Sequence, residues 1–128
     1  MTDVIMVVAL TLWGECRGEP IEGKRAVASV IYWRAVKELS HDAGRQWPGQ
    51  LERVCLKPRQ FSCWNGGEVA RPEPGQAWDE CLELASALVG NTFRPSFFAL
   101  NYHADYCKPH WAAGMSEVAR IGRHVFLA

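Results

Sequence analysis

The chain lacks an excess of either charge: its 128 residues carry 14 Lys+Arg against 14 Asp+Glu. Without a basic field nothing neutralises a polyphosphate backbone, which argues against a nucleic-acid binder. Paired cysteines are lacking too. Cys16, Cys55, Cys63, Cys81 and Cys107 are odd in number and form no CxxC. Neither a complete disulfide framework nor a zinc ribbon is therefore expected, and these thiols read mainly as reduced, small buried side chains. No GxSxG and no GxxxxGK occurs, which removes a serine-nucleophile elbow and a phosphate loop. No apolar run reaches the roughly 18 residues needed to span a bilayer, so no membrane insertion is expected. The nearly apolar stretch Val4 to Trp13 is preceded by Asp3 rather than a basic cluster, and no small-residue cleavage site follows. A secretory signal is not expected, and the protein is expected to be made in the cytoplasm. Repeats, low-complexity tracts and linkers are missing as well, so residues 1–128 are read as a single domain.

Tryptophan is what the chain has in plenty, six residues in all. Indole fills cores, but its flat apolar face with a polar edge also suits the C–H faces of a sugar ring. Apolar periodicity gives three long helices. Thr2 or Asp3 caps the first, which runs to about Arg17 before Gly18 and Pro20 end it. Pro20 suits the first position of the second, which extends to about Leu39 with Gly23, Val27, Val30 and Ile31 along one stripe. Residues 40–50 read as a loop, followed by a short helix over Leu51 to Leu56. The third long helix covers Gln76 to Val89, with Trp78, Leu82, Ala85 and Val89 on one face, and Gly90-Asn91 stop it. Phe97 to His103 is β-like, and Ile121 to Leu127 reads as a last short strand.

One residue stands out. At about 100° per residue, Val4, Val8, Thr11 and Leu12 share a face with Glu15, so this carboxyl projects from an apolar side of its helix. Breaking a glycosidic bond requires protonation of a poor alkoxide leaving group near neutral pH, and a carboxylic acid in apolar surroundings suits that task. Glu15 is the candidate acid/base. Glu19 is a possible second acid, although the break at Gly18 and Pro20 makes it equally a helix cap or a partner of Arg17 or Arg25. His103, Cys107 and His110 are metal-capable, yet no second cluster completes a zinc site, and neither metal nor cofactor is expected.

The segment Leu12 to Pro20 (LWGECRGEP) resembles the signature of the SleB-type cell-wall hydrolases. Four further blocks fit that family in the same order: Gly23 to Ile31 (GKRAVASVI), Gln60 to Trp64 (QFSCW), Tyr102 to Tyr106 (YHADY) with Trp111, and Ile121 to Phe126 (IGRHVF). Three positions depart from the family pattern. Cys16 replaces a small Ala, Cys107 an apolar residue, and Trp33 an Asn on the second helix that borders the groove. The resemblance implies a compact, mainly helical α+β domain similar to lysozyme, with a small β element. It implies Glu15 as catalytic acid on peptidoglycan glycan strands. Phe61, Trp64, Tyr102 and Trp111 are then candidates to stack on or wall the glycan, and Gln60, Ser62 and His103 to hydrogen-bond it. The expected reaction is lytic transglycosylation of the MurNAc–GlcNAc β-1,4 bond, forming 1,6-anhydro ends, by a monomer. A phage endolysin is the suggested setting, and a bacterial cytoplasmic or virion-borne enzyme is equally permitted by the residues. Hydrolysis by a muramidase with Glu19 or Asp105 as partner, a non-catalytic glycan-binding or virion module, and a zinc amidase are the alternatives.

Overall fold

A computed structural model describes residues 3–41, 46–57, 61–65 and 70–128. Thr2, the loop at 42–45, Gln60 and the Gly66-Gly67 breakers lie outside the described residues. Four helices, α1 (Val4–Cys16), α2 (Ile21–His41), α3 (Gly49–Leu56) and α4 (Gln76–Val89), precede three strands, β1 (Asn101–Ala104), β2 (Glu117–Ile121) and β3 (His124–Leu127). Single 3-10 turns occupy Ser62–Trp64 and His110–Ala112. This is the mainly helical α+β architecture expected.

Helix α1 is the centre of the molecule and packs against α2, α3 and α4. Val7, Val8 and Ala9 are buried in succession, and so are Thr11, Leu12 and Trp13. A helix covered on most of its circumference needs apolar residues nearly all round, which explains the run that opens the sequence. Asp3 is the cap: its Oδ1 accepts the Ile5 N–H at 2.9 Å. The second helix buries Val27, Val30 and Ile31 as expected. Gly23 lies on the same stripe, where a Cβ would come within 3.0 Å of the Glu19 Cβ, so the α1–α2 turn folds directly onto the helix.

The face of α4 is displaced from the expected one. Cys81, Leu84, Ala85 and Leu88 are buried, whereas Trp78, Leu82 and Val89 are only partly so. The helix contacts both α1 and α2, and its buried centre falls between two neighbours. Trp78 at the margin still meets Trp13 edge to face, with ring centroids 5.9 Å apart.

The sheet has strand order β1-β3-β2, antiparallel throughout. Two strand expectations are corrected here. The segment 97–100 is not a strand, because α2 side chains take its backbone carbonyls. Trp33 Nε1 donates to the Phe97 carbonyl at 2.8 Å, and Arg34 Nε donates to that of Leu100 at 2.7 Å. Trp33 therefore fixes this segment and does not reach the groove. Ile121 to Leu127 is not one strand but a hairpin: Ile121 ends β2, Gly122-Arg123 turn, and His124 begins β3. Gly122 has φ +58, a left-handed conformation that side chains disfavour.

Lys24 is the one buried lysine among the described residues. Its ammonium donates to the Glu19 carbonyl and lies 3.1 Å from Glu80 Oε1, tying the α1–α2 turn to α4. The hydrogen bond from Lys24 holds the Glu80 carboxyl below its ordinary value. A lowered carboxylate stabilises the fold above the unfolded carboxylate pKa and loses that contribution as pH falls through the folded value. Lys24→Met keeps the stem and removes the donors. It is expected to lower the free energy of unfolding by about 1–3 kcal/mol at neutral pH. Urea melts at neutral and acidic pH check this, because the variant's loss should narrow as Glu80 becomes protonated.

Candidate active site

A cleft of about 510 Å³ opens where the C-terminal end of α1 meets β1 and the 3-10 turn at 62–64. Glu15 lies in it, partly buried, one turn beyond the buried Thr11 and Leu12. Its two oxygens are separately held. The Tyr102 hydroxyl, on β1, donates to Oε1. The Cys63 backbone N–H donates to Oε2 at 3.2 Å, with Ser62 Oγ at 3.5 Å from the same oxygen. Burial, followed by the adjacent Glu15 carboxylate, pushes the Tyr102 hydroxyl well above the usual phenol range. Tyr102 therefore stays protonated and acts as a donor throughout the neutral range.

The apolar cleft expected around Glu15 is corrected. The carboxyl springs from an apolar helix face, but the space it enters is lined by polar groups, among them Arg34, Asn65, Asn101, His103 and His124. Position on a helix dictates what lies beneath a side chain, and the elements folded over it dictate the rest.

The expected binding residues divide. Ser62, Tyr102, His103 and Trp111 all border the cleft. His103 Nδ1 lies 2.7 Å from the Ala104 carbonyl, a contact that places a proton on Nδ1 and turns Nε2 away from it. Trp111 is exposed and stands edge-on to His103 at 6.1 Å, available as an aromatic wall. Phe61 is 1 % exposed, so it cannot stack on a glycan. It is core, with the Arg34 guanidinium 5.0 Å over its ring. Trp64 does not border the cleft: it packs on the core and its Nε1 donates to Thr11 Oγ1 at 2.9 Å, pinning the 62–64 turn under α1. Gln60 lies outside the described residues.

Glu19 is directed elsewhere. Its Oε1 accepts the Arg123 N–H at 2.7 Å and lies 3.6 Å from His124 Nδ1. A Cβ on Gly122 would come within 2.3 Å of that same oxygen, so the glycine makes room for the carboxylate. The expected pairing with Arg17 gives way to this latch on the β2–β3 turn, and Arg17 donates instead to the Trp13 carbonyl at 3.3 Å. Burial lowers His124 from the ordinary imidazole value despite the nearby Glu19. His124 is neutral, and its 3.6 Å approach to Glu19 is not an ion pair.

Arg34 was not foreseen. Burial lowers its pKa, yet a guanidinium keeps its proton, and its Nη1 is enclosed without a hydrogen-bond partner among the described residues. A charged residue on the buried stripe of α2, one turn after Val30 and Ile31, was the available signal. Asp105 borders a different cavity, and no three His, Cys, Asp or Glu side chains among the described residues converge to hold a metal ion. Cys16, Cys55 and Cys81 are buried, Cys63 is partly so and Cys107 is exposed, all as free thiols.

Comparison with known proteins follows this geometry. A family model described as cell wall hydrolase matches residues 18–127. The match begins after Glu15. The spore cortex-lytic enzyme of Bacillus subtilis (strain 168) is 30% identical over 123 residues, covering 95% of this chain and 36% of that protein. The spore cortex-lytic enzyme of Oceanobacillus iheyensis is also 30% identical, with 95% of this chain and 40% of that protein covered. The chain thus spans well under half the length of these curated relatives. Among solved structures, the catalytic domain of the germination-specific lytic transglycosylase SleB from Bacillus anthracis superposes with a TM-score of 0.70 at 26% identity, covering 100% of this chain and 96% of that one. The catalytic domain of the Bacillus cereus SleB protein gives a TM-score of 0.67 at 26% identity, covering 97% and 88%. The lysozyme-like fold expected from the sequence is the one found.

Proposed function

Because this chain belongs to the cell wall hydrolase family, and within it to the SleB type, we propose that it is an enzyme cleaving the glycan strands of peptidoglycan. The bond is MurNAc–GlcNAc β-1,4, the reaction is lytic transglycosylation, and Glu15 is the single acid/base. The observation that carries this reading is the carboxylate in the cleft: among the described residues bordering it, only Glu15 is an acid. Hydrolysis with two carboxylates needs a second acid across the scissile bond. Glu19 is latched to the hairpin and Asp105 faces another cavity, so neither supplies it.

One carboxyl group suffices when the nucleophile belongs to the substrate. Glu15 gives its proton to the glycosidic oxygen as the C1–O bond breaks and positive charge develops at C1. The carboxylate so formed takes the proton of the muramic acid 6-hydroxyl, whose oxygen bonds to C1 and closes the anhydro ring. The proton returns to Glu15 and no water is consumed. Oε1 is engaged by Tyr102, whereas the contacts of Oε2 at 3.2 and 3.5 Å are looser, and Oε2 is the oxygen that carries the proton. Trp111 offers an aromatic wall, and Ser62 and His103 offer polar contacts to the sugar.

Digestion of purified sacculi, with the products weighed by mass spectrometry, tests the reaction. Anhydro-muramic ends are expected. Reducing ends, heavier by one water, would mean that water replaces the 6-hydroxyl and the enzyme is a muramidase. The proposal includes action as a monomer and a lysis role of the endolysin kind, with the wall reached after the membrane is breached.

A further inference from the structure

A second cavity, of about 550 Å³, lies over the face of the sheet turned away from the helices. Val125 and Leu127 of β3 form its floor, and the loop after β1 forms its wall. That loop is internally braced. Ala112 N–H donates to the Pro109 carbonyl at 3.0 Å, Ala113 to His110 at 3.2 Å and Met115 to Ala112 at 3.1 Å. Its end is tied to the chain terminus by reciprocal Ser116 and Ala128 bonds of 3.1 and 3.0 Å. The cavity is therefore built into the fold, and its volume falls in the range of about 300–1,000 Å³ typical of sites for small ligands.

Two observations define what fits. His103 borders both this cavity and the cleft, so the two spaces adjoin across one residue of β1. Their linings differ in chemistry. The cleft presents Tyr102 and Trp111, whereas the second cavity has no Trp, Tyr or Phe among the described residues. A sugar ring is thus offered no aromatic platform there. Instead Ala112, Ala113, Met115 and Leu127 present small apolar surface. Charges of both signs accompany it. Arg120 is bound to Glu117 at 2.9 Å, while Lys108 and Asp105 have no ion-pair partner among the described residues. Alkyl groups, a carboxylate and an ammonium within a short chain are the complement of such a lining, and that is the chemistry of a short peptide.

We propose that this cavity is a subsite for the peptide stem carried on the lactyl group of the muramic acid held in the adjoining cleft. The inference rests on the reading of the cleft as the glycan site. Lys108 meets a stem carboxylate, Asp105 an ammonium, and the Ala112–Met115 wall receives the alanine side chains.

Cys107 supplies a probe independent of catalysis. It is exposed and borders the cavity, while the other thiols are buried or partly so. With the Glu15→Gln protein, muramoyl-peptide is expected to slow alkylation of Cys107 about tenfold, and N-acetylmuramic acid alone to leave it unchanged. Equal effects of both probes, or of neither, overturn the proposal. In the active protein, the KM for stem-bearing strands is expected to be about tenfold below that for strands stripped by an amidase. Ala113→Trp, which fills the cavity, and Lys108→Ala should each bring the ratio toward one. A ratio of one in the parent protein overturns the inference while leaving the cleft reading intact. If neither strand is cleaved but Cys107 is still protected by muramoyl-peptide, the catalytic reading falls and the peptide subsite stands.

Discussion

Glu15→Gln is expected to lower the release of fragments from sacculi by about 10³-fold or more, with the unfolding midpoint within about 4 °C of the parent. The amide cannot give up a proton to the glycosidic oxygen or regain one from the 6-hydroxyl, so both halves of the reaction stop. The structural cost is small. The amide oxygen still accepts from Tyr102, while the amide N–H₂ faces the Cys63 N–H and Ser62, exchanging an acceptor for a donor. Losing such bonds at a partly exposed site costs on the order of 1 kcal/mol. Turbidity loss and thermal melts on the same preparation separate the two effects. A variant that still clears sacculi at the parent rate would sink the assignment. Retained glycan binding without activity is the expected pattern, whereas a binding module with no catalytic role would show no activity in the parent either.

The second large effect is expected at Tyr102→Phe, a loss of about 10² in kcat with KM little changed. The ring is packed against Phe126 and His124, with centroids 5.7 and 5.0 Å away, and phenylalanine keeps those contacts. Only the hydroxyl that fixes Oε1 disappears. A carboxyl held only by the looser Cys63 and Ser62 contacts no longer keeps its proton in line with the leaving oxygen, and a positioning error of about 1 Å is enough to cost a factor of this size. Single-turnover kinetics on sacculi fragments, with KM measured alongside, check the result. A rise in KM at constant kcat would instead mark Tyr102 as a glycan contact.

Glu15 was legible because α1 is regular: stepping about 100° per residue places a residue on a helix face without knowledge of anything distant. The rest of the site depends on pairing across the chain. Asn101 and His124 reach the cleft through the β1–β3 register, in which Asn101 faces Leu127 and Ala104 faces His124, and no local pattern announces that register. The turn at Gly122-Arg123 fell inside the segment read as one strand, and Glu117 to Arg120 of β2 were not read as a strand at all. Aromatic residues misled in the opposite way. Phe61 and Trp64 have the side chains a glycan site uses, but residue type alone cannot distinguish an aromatic wall from core, and these two are packed beneath α1 and against Arg34. The mixed identity of the cleft has the same origin: its floor follows from the helix, while its polar rim comes from the segments folded over it.

The bond from Tyr102 to Glu15 joins residues 87 positions apart. On a translating ribosome, the carboxyl emerges first and waits for its partner through 87 further residues of synthesis. No partial product owns an armed acid. For the wall-cleaving activity proposed, wiring the trigger to a strand 87 residues further along makes completed folding the safety catch.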